Sequence, residues 1–159
     1  MNQSFPKRVA LLSLAVTFLF GGHDHGLAAD DTRLAQNPTT SQERTAMWMT
    51  VGTHRFALTL EDNPTARAFA QLLPMALDMP DLNGNEKHAR LPRSLPTSAM
   101  RPGTIRTGDV MLYGSDTLVV FYKTFSSNYS YTRIGRITNA EGLVEALGAG
   151  SQRIGFAVE

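Results

Sequence analysis

Met47-Trp48-Met49-Thr50-Val51-Gly52-Thr53-His54-Arg55-Phe56-Ala57-Leu58-Thr59-Leu60 is the stretch on which the fold class turns. Met47, Met49 and Val51 alternate with their neighbours, Gly52-Thr53 offers a turn, and Phe56, Leu58 and Leu60 alternate again. Successive side chains of a strand point to opposite faces, so a period of two on both sides of a short Gly-containing turn predicts a β-hairpin. Asn63-Pro64 then opens a helix, with Asn63 suited to the N-cap and Pro64 to the first helical position, where no N–H is needed. Ala66, Phe69, Ala70 and Leu73 form its apolar stripe, Arg67 and Gln71 face water, and Pro74 ends it.

Toward the C-terminus, Met75 to Leu82 and Glu86 to Leu91 flank Asn83-Gly84, a strong short-range turn signal. Pro92, Pro96 and Pro102 make Leu91 to Gly103 a long loop. Ile105 to Tyr113, Thr117 to Thr124 and Tyr129 to Ile137 read as three strands, joined by turns at Gly114-Ser115-Asp116 and Ser126-Ser127-Asn128. Asn139 is expected to cap a short second helix with Leu143, Val144 and Leu147 inside and Gly148 just past its end. Arg153 to Val158 closes the chain as a strand. Six to eight strands with two short helices predict a mainly β fold, a closed or nearly closed barrel. Closure removes the sheet edges that invite aggregation.

Toward the N-terminus, Lys7 and Arg8 precede an apolar run, Val9 to Phe20, relieved only by Ser13 and Thr17. A polar, Gly-rich piece follows and ends in Gly26-Leu27-Ala28-Ala29. A basic start, an apolar centre and small residues near a cut are the marks of a secretory signal peptide, here residues 1–29, cleaved after Ala28 or Ala29. The apolar run falls short of the roughly 20 residues that span a bilayer. An anchor that is never cut is the alternative; after cleavage no stable membrane anchor is expected. Residues 30–45 are polar, contain Asn37-Pro38-Thr39-Thr40-Ser41, and read as a flexible leader before a single domain over residues 46–159. The protein is thus expected to be exported, and periplasmic if the source is Gram-negative.

Composition narrows the function. The 159 residues suit one domain of ordinary size, and 42% hydrophobic content excludes a wholly disordered chain. Fifteen Lys and Arg stand against 14 Asp and Glu, and without Lys7, Arg8 and Asp24 of the signal segment the two signs balance. Nucleic-acid binding, which rewards dense positive charge, has no support. The absence of Cys excludes disulfides, thiol catalysis and thiolate metal sites.

Several spaced motifs carry a resemblance. Leu60-Glu61-Asp62-Asn63-Pro64-Thr65-Ala66 leads to Leu72-Leu73-Pro74-Met75, and Asp81-Leu82-Asn83-Gly84-Asn85-Glu86-Lys87 and Gly103-Thr104-Ile105 follow. Gly108-Asp109-Val110-Met111-Leu112-Tyr113, Phe121-Tyr122-Lys123 and Tyr129-Ser130-Tyr131-Thr132-Arg133-Ile134-Gly135 complete the set. Together these resemble the small bacterial cyclophilin-like proteins, over essentially all of Met47 to Val158. The resemblance implies a cyclophilin-like closed β-barrel with two short helices, and it carries a fold more than an activity. True cyclophilins bind a proline peptide beside a Phe-His-Arg-Val-Ile strand and a Phe-Met-x-Gln-Gly-Gly-Asp segment. Neither motif is present here, so no catalytic residue transfers by position.

The remaining chemistry lies in two places. Alternation along Tyr129 to Ile137 puts Tyr129, Tyr131 and Arg133 on one face, and strand pairing brings Tyr113 and Tyr122 toward them. Aromatic rings beside a fixed cation make a peptide cleft; the bland alternative is amphipathic barrel packing with Arg133 at the surface. Glu86 and Lys87 either line the same cleft or form an ion-paired strand end after the turn. Asp81, Asn83 and Asn85 echo a calcium loop, but Gly84 is misplaced and Pro92 stands where the last acidic ligand belongs. Gly148-Ala149-Gly150 follows a helix instead of a strand, which removes the dinucleotide reading, and no serine lies in a Gly-x-Ser-x-Gly elbow. No metal and no cofactor is expected. The expectation is a barrel that binds a peptide segment or small molecule through Tyr113, Tyr122, Tyr129, Tyr131, Arg133, Glu86 and Lys87, without strong catalysis. The alternatives are a weak peptidyl-prolyl cis–trans isomerase acting on exported proteins and a domain that docks on a partner protein.

Overall fold

A computed structural model describes residues 46–159; the signal segment and leader expected over residues 1–45 lie outside the described residues. Strands β1 (Met47–Val51) and β2 (His54–Leu60) form the expected hairpin, with Val51 opposite His54. Gly52 at its tip has φ 56°, a left-handed conformation that a side chain would strain. Helix α1 (Pro64–Ala70) begins as expected, for the Asn63 carboxamide oxygen accepts the Ala66 N–H at 2.8 Å. The Asn63 Nδ2 donates to the Arg133 carbonyl at 2.9 Å and so ties the helix start to the barrel.

The next hairpin is smaller than the sequence suggests. β3 (Met75–Met79) and β4 (Asp81–Leu82) are separated by Pro80, and only β4 pairs with β5 (Glu86–Arg90). Asn83 and Gly84 take φ 58° and 65°, as a tight hairpin turn requires, and the Asn85 N–H closes the turn on the Leu82 carbonyl. β3 pairs instead with the last strand, β11 (Gln152–Val158). Pro80 explains the division: it has no N–H to give to a ladder, while its carbonyl accepts the His88 N–H at 3.3 Å.

β6 (Gly103–Ile105) and β7 (Asp109–Tyr113) replace the single strand expected from Ile105 to Tyr113. The break falls at Arg106-Thr107-Gly108, where the Asp109 carboxylate accepts the Arg106 N–H at 2.9 Å and Gly108 has φ 90°. β8 (Thr117–Phe121) is shorter than expected. β9 (Phe125–Ser127) occupies most of the expected Ser126-Ser127-Asn128 turn, because β6 supplies it with a distant partner. β10 (Thr132–Ile137) begins later than expected, and Tyr131 makes only one bridge, to Met100. Helix α2 (Leu143–Leu147) has Gly142 rather than Asn139 at its N-cap; Asn139 accepts the Glu141 N–H outside the helix, and Val144 faces water.

The main sheet runs β3-β11-β1-β2-β10-β7-β8-β5-β4, every pairing antiparallel. Its two outermost strands are halves of one bent segment, so the sheet returns on itself as a nearly closed barrel. β2 and β10 are antiparallel neighbours, and the helices that follow them therefore sit at opposite ends. Phe69 of α1 and Leu143 and Leu147 of α2 join the barrel interior, where Phe69 meets Phe156 edge-on at 5.7 Å. A register shift between Arg133 and Gly135 makes Ile134 the extra residue of a bulge. Gly135 there lies so close to β2 that a Cβ would collide with the Thr59 carbonyl oxygen.

β7 and β8 are buried on both faces. Val110, Leu112, Leu118 and Val120 point into the barrel, while Met111, Val119 and Phe121 point outward. The β6–β9 ribbon lies over that outer face and, with Ile105, Tyr131 and Phe125, forms a second apolar cluster.

Candidate functional site

Strand parity decides which side chains reach the outer face. Lys87 and Ala89 of β5 belong to the interior, so Glu86 and His88 point outward. On β7 and β8 the same rule sends Tyr113 and Val119 outward and Tyr122, just past the end of β8, inward. Between these outward residues and the β9–β10 connection opens a cleft of about 730 Å³. Tyr113, Tyr129, Tyr131, Phe125, Glu86 and His88 are its principal walls.

The aromatic wall is ordered by edge-to-face packing. The Tyr113 and Tyr129 rings stand 6.3 Å apart at 86°, and Tyr131 lies 5.7 Å from Tyr113, tilted by 54°. Tyr131 in turn meets Phe121 edge-on at 5.5 Å, and Phe121 meets Phe125 at 5.8 Å. Phe121 thus anchors the rim to the second apolar cluster, while Tyr113 and Tyr129 keep open faces. A hydrogen bond from the Tyr129 N–H to the Ser127 hydroxyl at 3.2 Å holds the connection between β9 and β10.

Glu86 is only 7% exposed, and no donor among the described residues meets its carboxylate. Burial, and then the negative charge of Asp81, push this carboxyl above its ordinary value. Burial, and then the charge of Glu86, push the Tyr131 phenol up as well, which couples the acid to the aromatic wall.

Three of the residues expected at the cleft lie elsewhere. Lys87 is fully buried inside the barrel, where its ammonium donates to the Asp81 carboxylate at 2.8 Å and to the carbonyls of Gly148 and Gly150 at 2.8 and 2.6 Å. Those bonds tie the α2–β11 connection to β5. Tyr122 is also interior and donates its hydroxyl to the same Asp81 oxygen. Lys87 and Tyr122, both bonding Asp81, hold its carboxyl below the usual range. Burial, and then Asp81, push the Tyr122 phenol up to about 12. Arg133 does not line the cleft: its guanidinium stands 3.9 Å from the buried Asp109 carboxylate, with Arg136 at 3.5 Å on the same oxygen.

The model of the Cyclophilin-like family matches residues 49–159. The chain belongs to the cyclophilin-like family. No curated protein matches. Among solved structures, the hypothetical protein AF2241 from Archaeoglobus fulgidus, known from a solution structure, is similar at 17% identity. The match covers 72% of this chain and 95% of that one, with a TM-score of 0.49. The cyclophilin-like barrel places Tyr113, Tyr129, Tyr131 and Glu86 together, and Tyr122, Lys87 and Arg133 apart from them. His88 and Phe125 complete the cleft. His88 is legible in the sequence, since strand spacing puts it on one face with Glu86. Phe125 is not, because the strand that presents it exists only through its pairing with β6.

Proposed function

We propose that this cyclophilin-like barrel binds a small molecule or a peptide segment in its outer cleft and has no strong catalytic activity of its own. The observation that carries the reading is an open-faced aromatic wall, Tyr113 and Tyr129, beside a nearly buried carboxylate that no described donor satisfies. Concave sites with apolar walls and one or two directed polar groups are the usual form of a ligand site. A thermal-shift screen of mixed metabolites and short peptides is expected to yield compounds that stabilise the protein, since a ligand at a hundred times its Kd adds about 2.7 kcal/mol. Tyr129→Ala, at an exposed position that leaves the core intact, should remove most of that shift. A screen without hits, or hits indifferent to the substitution, would count against the cleft.

Prolyl isomerisation, the second reading, is helped by a cation aimed at the amide nitrogen or carbonyl of the twisting proline bond, and the described residues of the cleft walls include neither Arg nor Lys. Uncatalysed exchange takes tens of seconds or more, so acceleration by the purified protein would be plain. The binding reading expects none. The site of action is proposed to be outside the cytoplasm, on the strength of the basic start and apolar run before Ala29.

A further inference from the structure

We infer that the cleft selects an organic cation, an alkylammonium or guanidinium group, seated against the rings of Tyr113 and Tyr129 with Glu86 as its counter-ion. This deepens the binding reading and rests on it. Among the described residues of the cleft walls Glu86 is the one Asp or Glu, and no Lys or Arg stands with it. An ionised carboxylate taken out of water and left without a partner is costly, and a neutral or anionic occupant would leave it so. A cationic occupant supplies the missing partner.

The rings supply the rest. Tyr113 is 47% exposed and Tyr129 66%, and at 86° to one another they present two walls of a corner. A cation within about 6 Å of such ring faces is attracted by their negative quadrupoles, most strongly where water is excluded. Tyr131 makes a third wall, fixed by Phe121 behind it. At about 730 Å³ the cleft is larger than a lone cationic head, so it also holds the group that carries the charge. That carrier is either the side chain of a lysine- or arginine-bearing peptide or a free small amine, and the chemistry recognised is the same.

Choline and its neutral isostere 3,3-dimethylbutan-1-ol separate charge from shape. Titrated into the purified protein at about pH 8 and followed by the tyrosine ring resonances, choline is expected to bind about tenfold or more tighter than the isostere. Glu86→Gln should cost choline about tenfold or more, in the range that loss of a desolvated charge partner produces, and leave the isostere unchanged. Tyr129→Ala should weaken choline in a protein whose fold the exposed substitution does not threaten. Acetyl-Gly-Lys-Gly-amide, set beside its Gln counterpart, assigns the cation to a peptide if it binds more tightly than choline, and to a free amine if choline is the tighter. Equal affinity for choline and the isostere, or full choline affinity in Glu86→Gln, would overturn the inference. Neutral compounds that move Tyr113, Tyr129 and Tyr131 while both cations fail would leave a binding cleft without cation selection. Silence from every compound would remove the cleft as well.

Discussion

Glu86 and Lys87 are neighbours on β5 and point to opposite faces of the sheet, one into the cleft and one into the barrel. Their energetics are opposite too. The Glu86 carboxyl is raised in the folded state, so its ionised form weakens the fold as pH rises from the unfolded value through the folded one. Glu86→Gln is therefore expected to raise the thermal midpoint at neutral pH and to match the parent protein in acid, measured by calorimetry across that range. A residue that costs stability where it stands is what a binding role looks like at this scale. Lys87 does the reverse. Lys87→Met would take one of three donors from Asp81 and the ammonium from two carbonyls, and should lower stability by about 1–3 kcal/mol in urea unfolding. Because the Asp81 carboxyl is held low, its contribution is present above the unfolded value and lost as pH falls through the folded one. Acid unfolding of Lys87→Met should lack that part of the slope; an unchanged acid limb would show that the pair is not what holds Asp81.

At the scale of elements, local signals located what local physics builds. The Gly52-Thr53 hairpin and the Asn63 cap need only neighbours in sequence, and both stand where the residues put them. The Tyr129 to Ile137 alternation is real in the sequence, yet β10 begins at Thr132 and the bulge at Ile134 breaks the period. Arg133, opposite Met111, keeps the outer face that Tyr131 also uses, but its guanidinium lies toward Asp109 at the far end of β7 and so misses the cleft that holds Tyr129. Tyr122 turns inward, away from the cleft expected for it, because proximity of a strand says nothing of face until its register is known. β9 was unreadable because Phe125-Ser126-Ser127 has turn composition and becomes a strand only against β6. The close approach of β10 to β2 yields its own test. Gly135→Ala should cost about 1–3 kcal/mol, seen as a lower urea midpoint, since the Thr59 carbonyl must move to admit a Cβ. A neutral effect would mean that the two strands do not lie so close.

At the scale of the molecule, the mainly β class and two short helices followed from patterning alone, and the cyclophilin-like resemblance agrees with the family now shown. What patterning left open was how the sheet closes. Pro80 divides one segment between two ladders, and the same segment carries Asp81, which binds Lys87 and Tyr122 inside. Closure and the cleft are thus built from the same strand, β5: its inward residues fasten the barrel end and its outward residues line the site. The N-terminal reading belongs to this scale as well. Protein recovered from the producing cells is expected to begin at Ala29 or Asp30, which N-terminal mass spectrometry would establish; an intact Met1 would leave the anchor alternative.

The chain has four tyrosines, three on the cleft and one inside the barrel, so ligand binding in the cleft is directly measurable. With ring-labelled tyrosine, a ligand screen reads four signals, of which Tyr122 is the internal control. A bound ligand is expected to move Tyr113, Tyr129 and Tyr131 and to leave Tyr122 in place. A ligand that moves Tyr122 and spares the other three, or a broad screen in which none of the four moves, would contradict binding in the cleft.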